Sequence, residues 1–173
     1  HGSGYYSKAD FIEILKYAAE RHITIIPELN FPAHARAAIK SMEARYERLM
    51  MEGKEDEANE YRLIDPDDTS EFLSAQGYKD NVVSVAREST YRFYEKVMDE
   101  IARMYDQAGL KLTKIHAGGD EVPEGAWTQS PMAAELLRQL PDIDDPKNLQ
   151  GYFFRELLKR LEKLDVEVHV WEE

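Results

Sequence analysis

A short apolar run, Leu112 to Ile115, ends in His116-Ala117-Gly118-Gly119-Asp120-Glu121-Val122, and this stretch constrains the fold more than any other. The run reads as a buried strand. The two glycines allow a sharp turn at its end, because a residue without Cβ is not restricted in φ. Two adjacent carboxylates follow at once, where the strand has ended and side chains face an opening. Neighbours on extended backbone point to opposite sides, so Asp120 and Glu121 are expected to serve different tasks. Pro123, Gly125 and Trp127 then carry the chain away as a loop. In a chain with 34 acidic residues an Asp-Glu pair is ordinarily a solvated one. Strand, double glycine and apolar flanks together favour a catalytic pair of carboxylates.

The rest of the chain repeats the grammar of this stretch. Ser7 with Asp10 resembles a capping box, with Asp a weaker partner there than Glu or Gln, and Phe11, Ile14, Leu15, Ala18 and Ala19 recur at helical spacing up to His22. Ile23-Thr24-Ile25-Ile26 is β-branched throughout and reads as a strand buried on both faces, ended by Pro27. The loop Pro27 to Ala35 holds Glu28 and His34. A lone histidine there is ordinarily a surface or helix-start residue. Its place beyond the carboxyl end of a strand favours a site residue instead, because α/β sheets bind ligands at that end. Residues 35–80 read as a charged helical insertion broken at Gly53, with Asp65-Pro66-Asp67-Asp68 a turn and not a calcium loop. A long amphipathic helix is expected from Ser84 to Ala108, stopped by Gly109. Ser130-Pro131 opens another helix, and a further one carries Tyr152, Phe153, Leu157, Leu161 and Leu164. Val166 to Trp171 alternates as a last strand.

Three candidate strands, each preceded by helix, are the pattern of a parallel sheet with right-handed crossovers. Polar or aromatic residues collect at all three carboxyl ends: Glu28 and His34, Asp120 and Glu121, Trp171 and Glu172. That is the arrangement of a (β/α)8 enzyme, yet a full barrel takes about 250 residues. The chain has 173. It is therefore expected to be a section of a TIM barrel, with about three parallel strands. The opening His1-Gly2-Ser3-Gly4 lacks an initiator Met and reads as the start of a processed chain or an excised piece.

Composition removes several classes. A formal net charge of -12 argues against non-specific nucleic-acid binding, which needs a basic footprint. The absence of cysteine excludes disulfides and thiolate metal sites. No run approaches the ~20 apolar residues of a membrane span, and no charged-then-apolar leader opens the chain.

At this point the residues resemble a known family. His116-x-Gly118-Gly119-Asp120-Glu121 is similar to the motif of the family 20 glycoside hydrolases, the β-N-acetylhexosaminidases. Gly4-Tyr5-Tyr6-Ser7 through Ile26-Pro27-Glu28 resembles the family's second helix and third strand. Phe31-Pro32-Ala33-His34-Ala35-Arg36-Ala37 and Ser41-Met42-Glu43-Ala44-Arg45-Tyr46 resemble its bacterial chitobiase branch, which shares Ala33 where many relatives have glycine. Val170-Trp171-Glu172 is similar to the family's fifth strand. The family's substrate-gripping arginine and its later tryptophans, tyrosine and aspartate lie outside this chain.

The resemblance implies removal of terminal β-linked N-acetylglucosamine or N-acetylgalactosamine with retention, the substrate's acetamido group acting as nucleophile. It implies Glu121 as general acid, Asp120 as the residue that holds and polarises the acetamido group, and His34 as support for the acid. Trp171 would wall the acetamido methyl. Glu28 and His116 are further candidates for the substrate side, although His116 reads more simply as a strand-end structural residue. No metal and no cofactor are called for. An extracytoplasmic place rests on the resemblance alone. Two rival readings fit less of the chain. A diguanylate cyclase loop resembles Gly118 to Val122 but gives no reason for the Pro27–His34 loop or Trp171. A non-catalytic sugar-binding relative would have no need of both carboxylates. With strand edges unpaired, the chain by itself is expected to be inactive and to self-associate.

Overall fold

The computed structural model describes residues 4–172; His1-Gly2-Ser3, where the sequence suggested a processed or excised start, and Glu173 lie outside the described residues. The first helix, α1 (Lys8–Ala19), has the expected capping box: Ser7 accepts the Asp10 amide, and Asp10 accepts the Ser7 amide. Its Leu15 and Ala18 are buried. The long helix α4 (Glu88–Gln107) packs against it, with Phe11 edge-on to Tyr105 at 6.3 Å. This helix begins at Glu88 and not at Ser84. Residues 84–87 stay outside the helix, with a turn at 85–86, where Thr90 Oγ1 donates to the Ser84 carbonyl and the Tyr91 hydroxyl to that of Val85, each at 2.7 Å. Gly109, at φ 76°, supplies the stop.

The apolar run after α4 delivers β1 (Lys114–His116), which pairs in parallel with β2 (Glu167–His169). Lys114 faces Glu167, Ile115 faces Val168 and His116 faces His169. The crossover between them carries α5 (Pro131–Gln139) and α6 (Leu149–Leu161). Leu149, Phe153, Leu157 and Leu161 recur every four residues and are buried, so one face of α6 closes over the core. Ile115, 0% exposed, lies at the centre of that core.

The first expected strand differs. Ile23 to Ile26 runs without ladder partners among the described residues, and pairing begins where it was expected to stop. Pro27 lends its carbonyl to the His116 amide at 2.9 Å, and the Leu29 amide donates to the His116 carbonyl at 3.1 Å. A proline can serve here because only its acceptor is used. Glu28 thus bridges His116 in parallel, on the side of β1 away from β2. Upstream, the run is held by the Tyr105 hydroxyl, which donates to the Ile25 carbonyl at 2.7 Å; the Tyr94 hydroxyl donates to Leu29 at 3.1 Å. Burial pushes the Tyr105 phenol up to about 12 and that of Tyr94 higher still, so both remain neutral donors at neutral pH. Burial on both faces does not hold for this run. Ile25 packs on the core, but Ile23 is 58% and Ile26 44% exposed.

The charged stretch after the first loop folds as α2 (Arg36–Met51) and α3 (Glu55–Asn59), separated at Gly53 by a φ of 71°. Residues 60–87 then form no regular element. They are tied to the rest at Asp65, which opens the turn 65–68. Its Oδ2 accepts from the Ser130 hydroxyl at 2.6 Å and the Met132 amide at 3.1 Å, while Ser130 also caps α5. Burial raises the Asp65 carboxyl, but hydrogen bonds from Ser130, Met132 and Asp67 outweigh it and hold the group below its ordinary 3.8. Stability from this carboxylate is therefore complete above that value and is lost as pH falls through the lowered one. Asp65→Asn should cost about 1–3 kcal/mol at neutral pH. Urea unfolding followed down to about pH 2 should show the variant's deficit shrinking with acid. A deficit independent of pH would mean the charge is not what holds the turn.

Candidate active site

Three backbone segments end side by side on one edge of this small sheet. β1 lies in the middle, the 27–31 segment on one flank and β2 on the other. The pairing continues past each strand: Phe31 donates to Ala117 at 3.1 Å, Ala117 to His169 at 2.8 Å and Trp171 to Gly118 at 2.9 Å. Parallel strands with matched ends put their carboxyl termini together. That register collects Glu28, Asn30, His116, Asp120, Glu121 and Trp171, and the loop beyond Asn30 adds His34.

The carboxylates do not splay as extended neighbours would. Glu121 has φ 54°, a left-handed conformation, and His34 has φ 55°. With the backbone turned this way, both acids reach the same imidazole: His34 Nε2 lies 3.4 Å from Asp120 Oδ2 and 3.4 Å from Glu121 Oε2. The nitrogen is buried, within ion-pair reach of both and aligned for a hydrogen bond with neither. Non-glycine residues at positive φ carry strain that surrounding contacts must hold.

The two acids differ in their other partners. Asn30 Nδ2 donates to Asp120 Oδ1 at 2.7 Å. The same amide's oxygen accepts the Gly119 N–H at 3.1 Å. Glu121 instead accepts from the Gln76 amide, which reaches over from the turn Ser74–Tyr78. Neither Asn30 nor Gln76 was singled out from sequence. The only available signal for Asn30 was its place between Glu28 and His34 in one strand-end loop, and Gln76 sits in a stretch without periodicity.

Across the sheet, Trp171 donates its indole N–H to Glu28 Oε1 at 3.1 Å and lies 4.5 Å from the His116 ring, centre to centre. His116 Nδ1 accepts the Gly118 amide at 3.1 Å, so that nitrogen has no proton to offer Glu28, 3.7 Å away. His116 thus braces the glycine turn and backs the tryptophan, in keeping with a structural strand-end role. Trp171 remains 52% exposed, its ring open to the site. His34, Asp120 and Glu121 each offer one donor atom, all within 4.8 Å of one another, close enough to share a cation. The same three groups can equally serve acid–base chemistry without a cation.

An α/β frame with paired acids, a histidine between them and an aromatic across the strand ends is suited to acid–base chemistry on a bound substrate. All of residues 1–173 match the family described as glycosyl hydrolase family 20, catalytic domain, and the chain belongs to that family. It is 60% identical over 147 residues to the N,N'-diacetylchitobiase of Vibrio harveyi, covering 83% of this chain and 17% of that protein. It is 40% identical over 169 residues to β-hexosaminidase B of Pseudoalteromonas piscicida, covering 98% of this chain and 21% of that protein. Among solved structures it matches a family 20 exo-β-N-acetylglucosaminidase from Vibrio harveyi in complex with N-acetylglucosamine, with a TM-score of 0.80 and 36% identity. That match covers 98% of this chain and 23% of the other. The chain thus spans about a fifth of the length of these relatives. Membership in this family removes the nucleotide-cyclase reading of Gly118 to Val122.

The glycine turn sets the tolerance of the site. A Cβ on Gly118 would lie 2.0 Å from Asn30 Oδ1 and 2.5 Å from Asn30 Cα, at a φ of 75° that L side chains rarely adopt. Gly118→Ala should therefore lower stability by about 2 kcal/mol or more, from backbone strain and the displaced Asn30 together. Thermal unfolding of the variant measures it; an unchanged midpoint would show that the loop can move aside freely.

Proposed function

We propose that residues 1–173 form a section of a family 20 catalytic domain, from the second helix to the fifth strand of a TIM barrel, with a helical insertion at about 35–80. The whole enzyme is a retaining β-N-acetylhexosaminidase acting on terminal N-acetylglucosamine or N-acetylgalactosamine. The observation that carries this reading is the convergence of Asp120 and Glu121 on His34 at the carboxyl end of β1, with Trp171 beside them. A site built only to bind a sugar has no need of two carboxylates on one imidazole.

The chemistry follows from the partners of each acid. Asp120 accepts the N–H of the substrate's acetamido group, which raises electron density on that group's carbonyl oxygen. This oxygen attacks the anomeric carbon as the glycosidic C–O bond breaks. Glu121 delivers its proton to the departing oxygen. The positive charge developing on the cyclised acetamido group then lies against the Asp120 carboxylate, an interaction that strengthens in the transition state. Water next adds to the anomeric carbon, gives its proton to Glu121, and reopens the ring with retention. His34, between the acids, offsets their mutual repulsion when protonated and orients Glu121. Trp171, held by Glu28 and His116, walls the acetamido methyl.

The isolated section leaves apolar side chains such as Ile23, Ile26 and Val170 open along the edges of the strand layer. Chains with such edges associate. Residues 1–173 alone should turn over no substrate and should sediment as oligomers; a monomer with hexosaminidase activity would overturn the section reading.

The roles of the acids separate by leaving group. Proton donation contributes about 100-fold or more when the departing oxygen is a poor leaving group, and little when it is an activated phenol. In the full-length enzyme, Glu121→Gln should lose far more kcat/KM on a natural disaccharide than on an aryl glycoside. Asp120→Asn should lose similarly on both, mainly in kcat. Equal leaving-group dependence in the two variants would show the roles to be misassigned.

A further inference from the structure

The Asp120 carboxylate is flanked by one group that the proposed chemistry leaves unused. Asn30 bonds Asp120 Oδ1 through its N–H at 2.7 Å and the Gly119 amide through its oxygen at 3.1 Å. These two bonds fix the orientation of the side-chain amide. Turned over, its oxygen would face a carboxylate oxygen and its N–H a backbone N–H, two repulsive contacts in place of two hydrogen bonds. The backbone keeps the same arrangement, since Gly118 offers no Cβ where Asn30 lies. Asn30 itself is anchored between Leu29 and Phe31, whose amides bond β1 at His116 and Ala117. The side chain is therefore a rigid clamp running from the flanking strand to the first carboxylate after the glycine turn.

We infer that Asn30 is a positioning residue for Asp120. It holds one carboxylate oxygen so that Asp120 meets the acetamido N–H in a single orientation, and its neutral amide does so without adding a second negative charge. The inference rests on the reading of Asp120 as the acetamido-orienting acid. A group held in the productive rotamer costs no reorganisation as charge develops, and this is where its effect belongs: in turnover, not in ground-state binding. Asn30 touches no reacting atom, so its loss should copy the kinetic pattern of Asp120 in weaker form.

Two variants in the full-length enzyme test this, beside Asp120→Asn. Asn30→Ala should lower kcat about 10- to 100-fold, the range for losing a hydrogen bond to a charged group, with KM little changed. The loss should be the same for a disaccharide and an aryl glycoside, unlike that of Glu121→Gln. Asn30→Asp keeps the shape but replaces the donor with a second carboxyl at hydrogen-bond distance, and two such groups cannot both ionise. At about pH 5 a shared proton restores the contact, and kcat should lie within about threefold of the unmodified enzyme; by about pH 8 it should fall at least about tenfold below it. His34 lies against Asp120 and Glu121 against His34, with Glu28 and His116 paired at the neighbouring strand ends; all four are common to both enzymes, so the ratio of the two profiles isolates the substitution. A purely structural Asn30 predicts a lowered melting temperature with no such ratio. If Asn30→Ala keeps full turnover while Asp120→Asn loses it, or if the loss in Asn30→Ala depends on leaving group, Asn30 is not a positioning residue. If Asp120→Asn itself keeps full turnover, the reading of Asp120 fails and the inference falls with it.

Discussion

The parallel pairing of β1 on both sides is the constraint from which the site follows. His116 gives its amide to Pro27 and takes that of Leu29, while Ala117 takes the amide of Phe31 and gives its own to His169. The end of β1 and the residue just beyond it thus fix the height of both flanks. Because the ladder is in register, the strands end at one level, and the residues after each end share one surface. A slip of one residue in the 27–31 segment would turn Glu28 and Asn30 to the opposite faces and dissolve the contacts to Trp171 and Asp120. The buried helices enforce the register from behind. Tyr94 and Tyr105 reach from α4 to carbonyls of the flanking segment, and the α6 leucines and Phe153 belong to the same buried core as Ile115.

Steric economy at the turn completes the arrangement. Gly118 and Gly119 have φ values of 75° and 100°, and each sits where a Cβ would strike a neighbour. Gly118 admits Asn30, while Gly119 admits the Phe154 ring at 2.8 Å from the position a Cβ would take. The left-handed turn at Glu121 continues the sequence of unusual dihedrals. A chain that left β1 in extended form would send its two acids to opposite sides. Departures from the extended region at Gly118, Gly119 and Glu121 bring them back to one imidazole. Function here depends on backbone shapes that side-chain propensity alone does not favour.

Much of this was legible from local pattern. The apolar run before the double glycine located β1 within two residues, and the helix caps at Ser7 and Ser130 stood where their side chains suggested. Asp120, Glu121, His34 and Trp171 were marked by position at strand ends, and the structure brings them to one surface. The rest depended on contacts that no local window contains. Asn30 acts on a residue 90 positions away. Gln76 lies in a loop whose course is set by Asp65 and α5. The run Ile23 to Ile26 looked buried because β-branched residues favour such places, yet one face of it is uncovered. Propensity reports what a segment suits, and burial reports what is packed against it.

On the proposed mechanism the neighbouring acids take two functions from one dipeptide. Each stands 3.4 Å from His34, so that histidine cannot be what distinguishes them. Their difference lies in the remaining oxygen contacts and in what carries those contacts. Asp120 is clamped by an amide that is itself bonded to the glycine turn, in a segment paired to β1. Glu121 meets an amide on an exposed turn, at the tip of an irregular stretch. An acid that must orient a substrate group benefits from a fixed carboxylate, since any freedom there is lost as entropy when the acetamido group binds. An acid that must give and retrieve a proton needs room for a leaving group and then for water. The proposed division of labour would draw on the elements that carry Asn30 and Gln76, a paired segment for one and an exposed turn for the other, as much as on the carboxylates themselves.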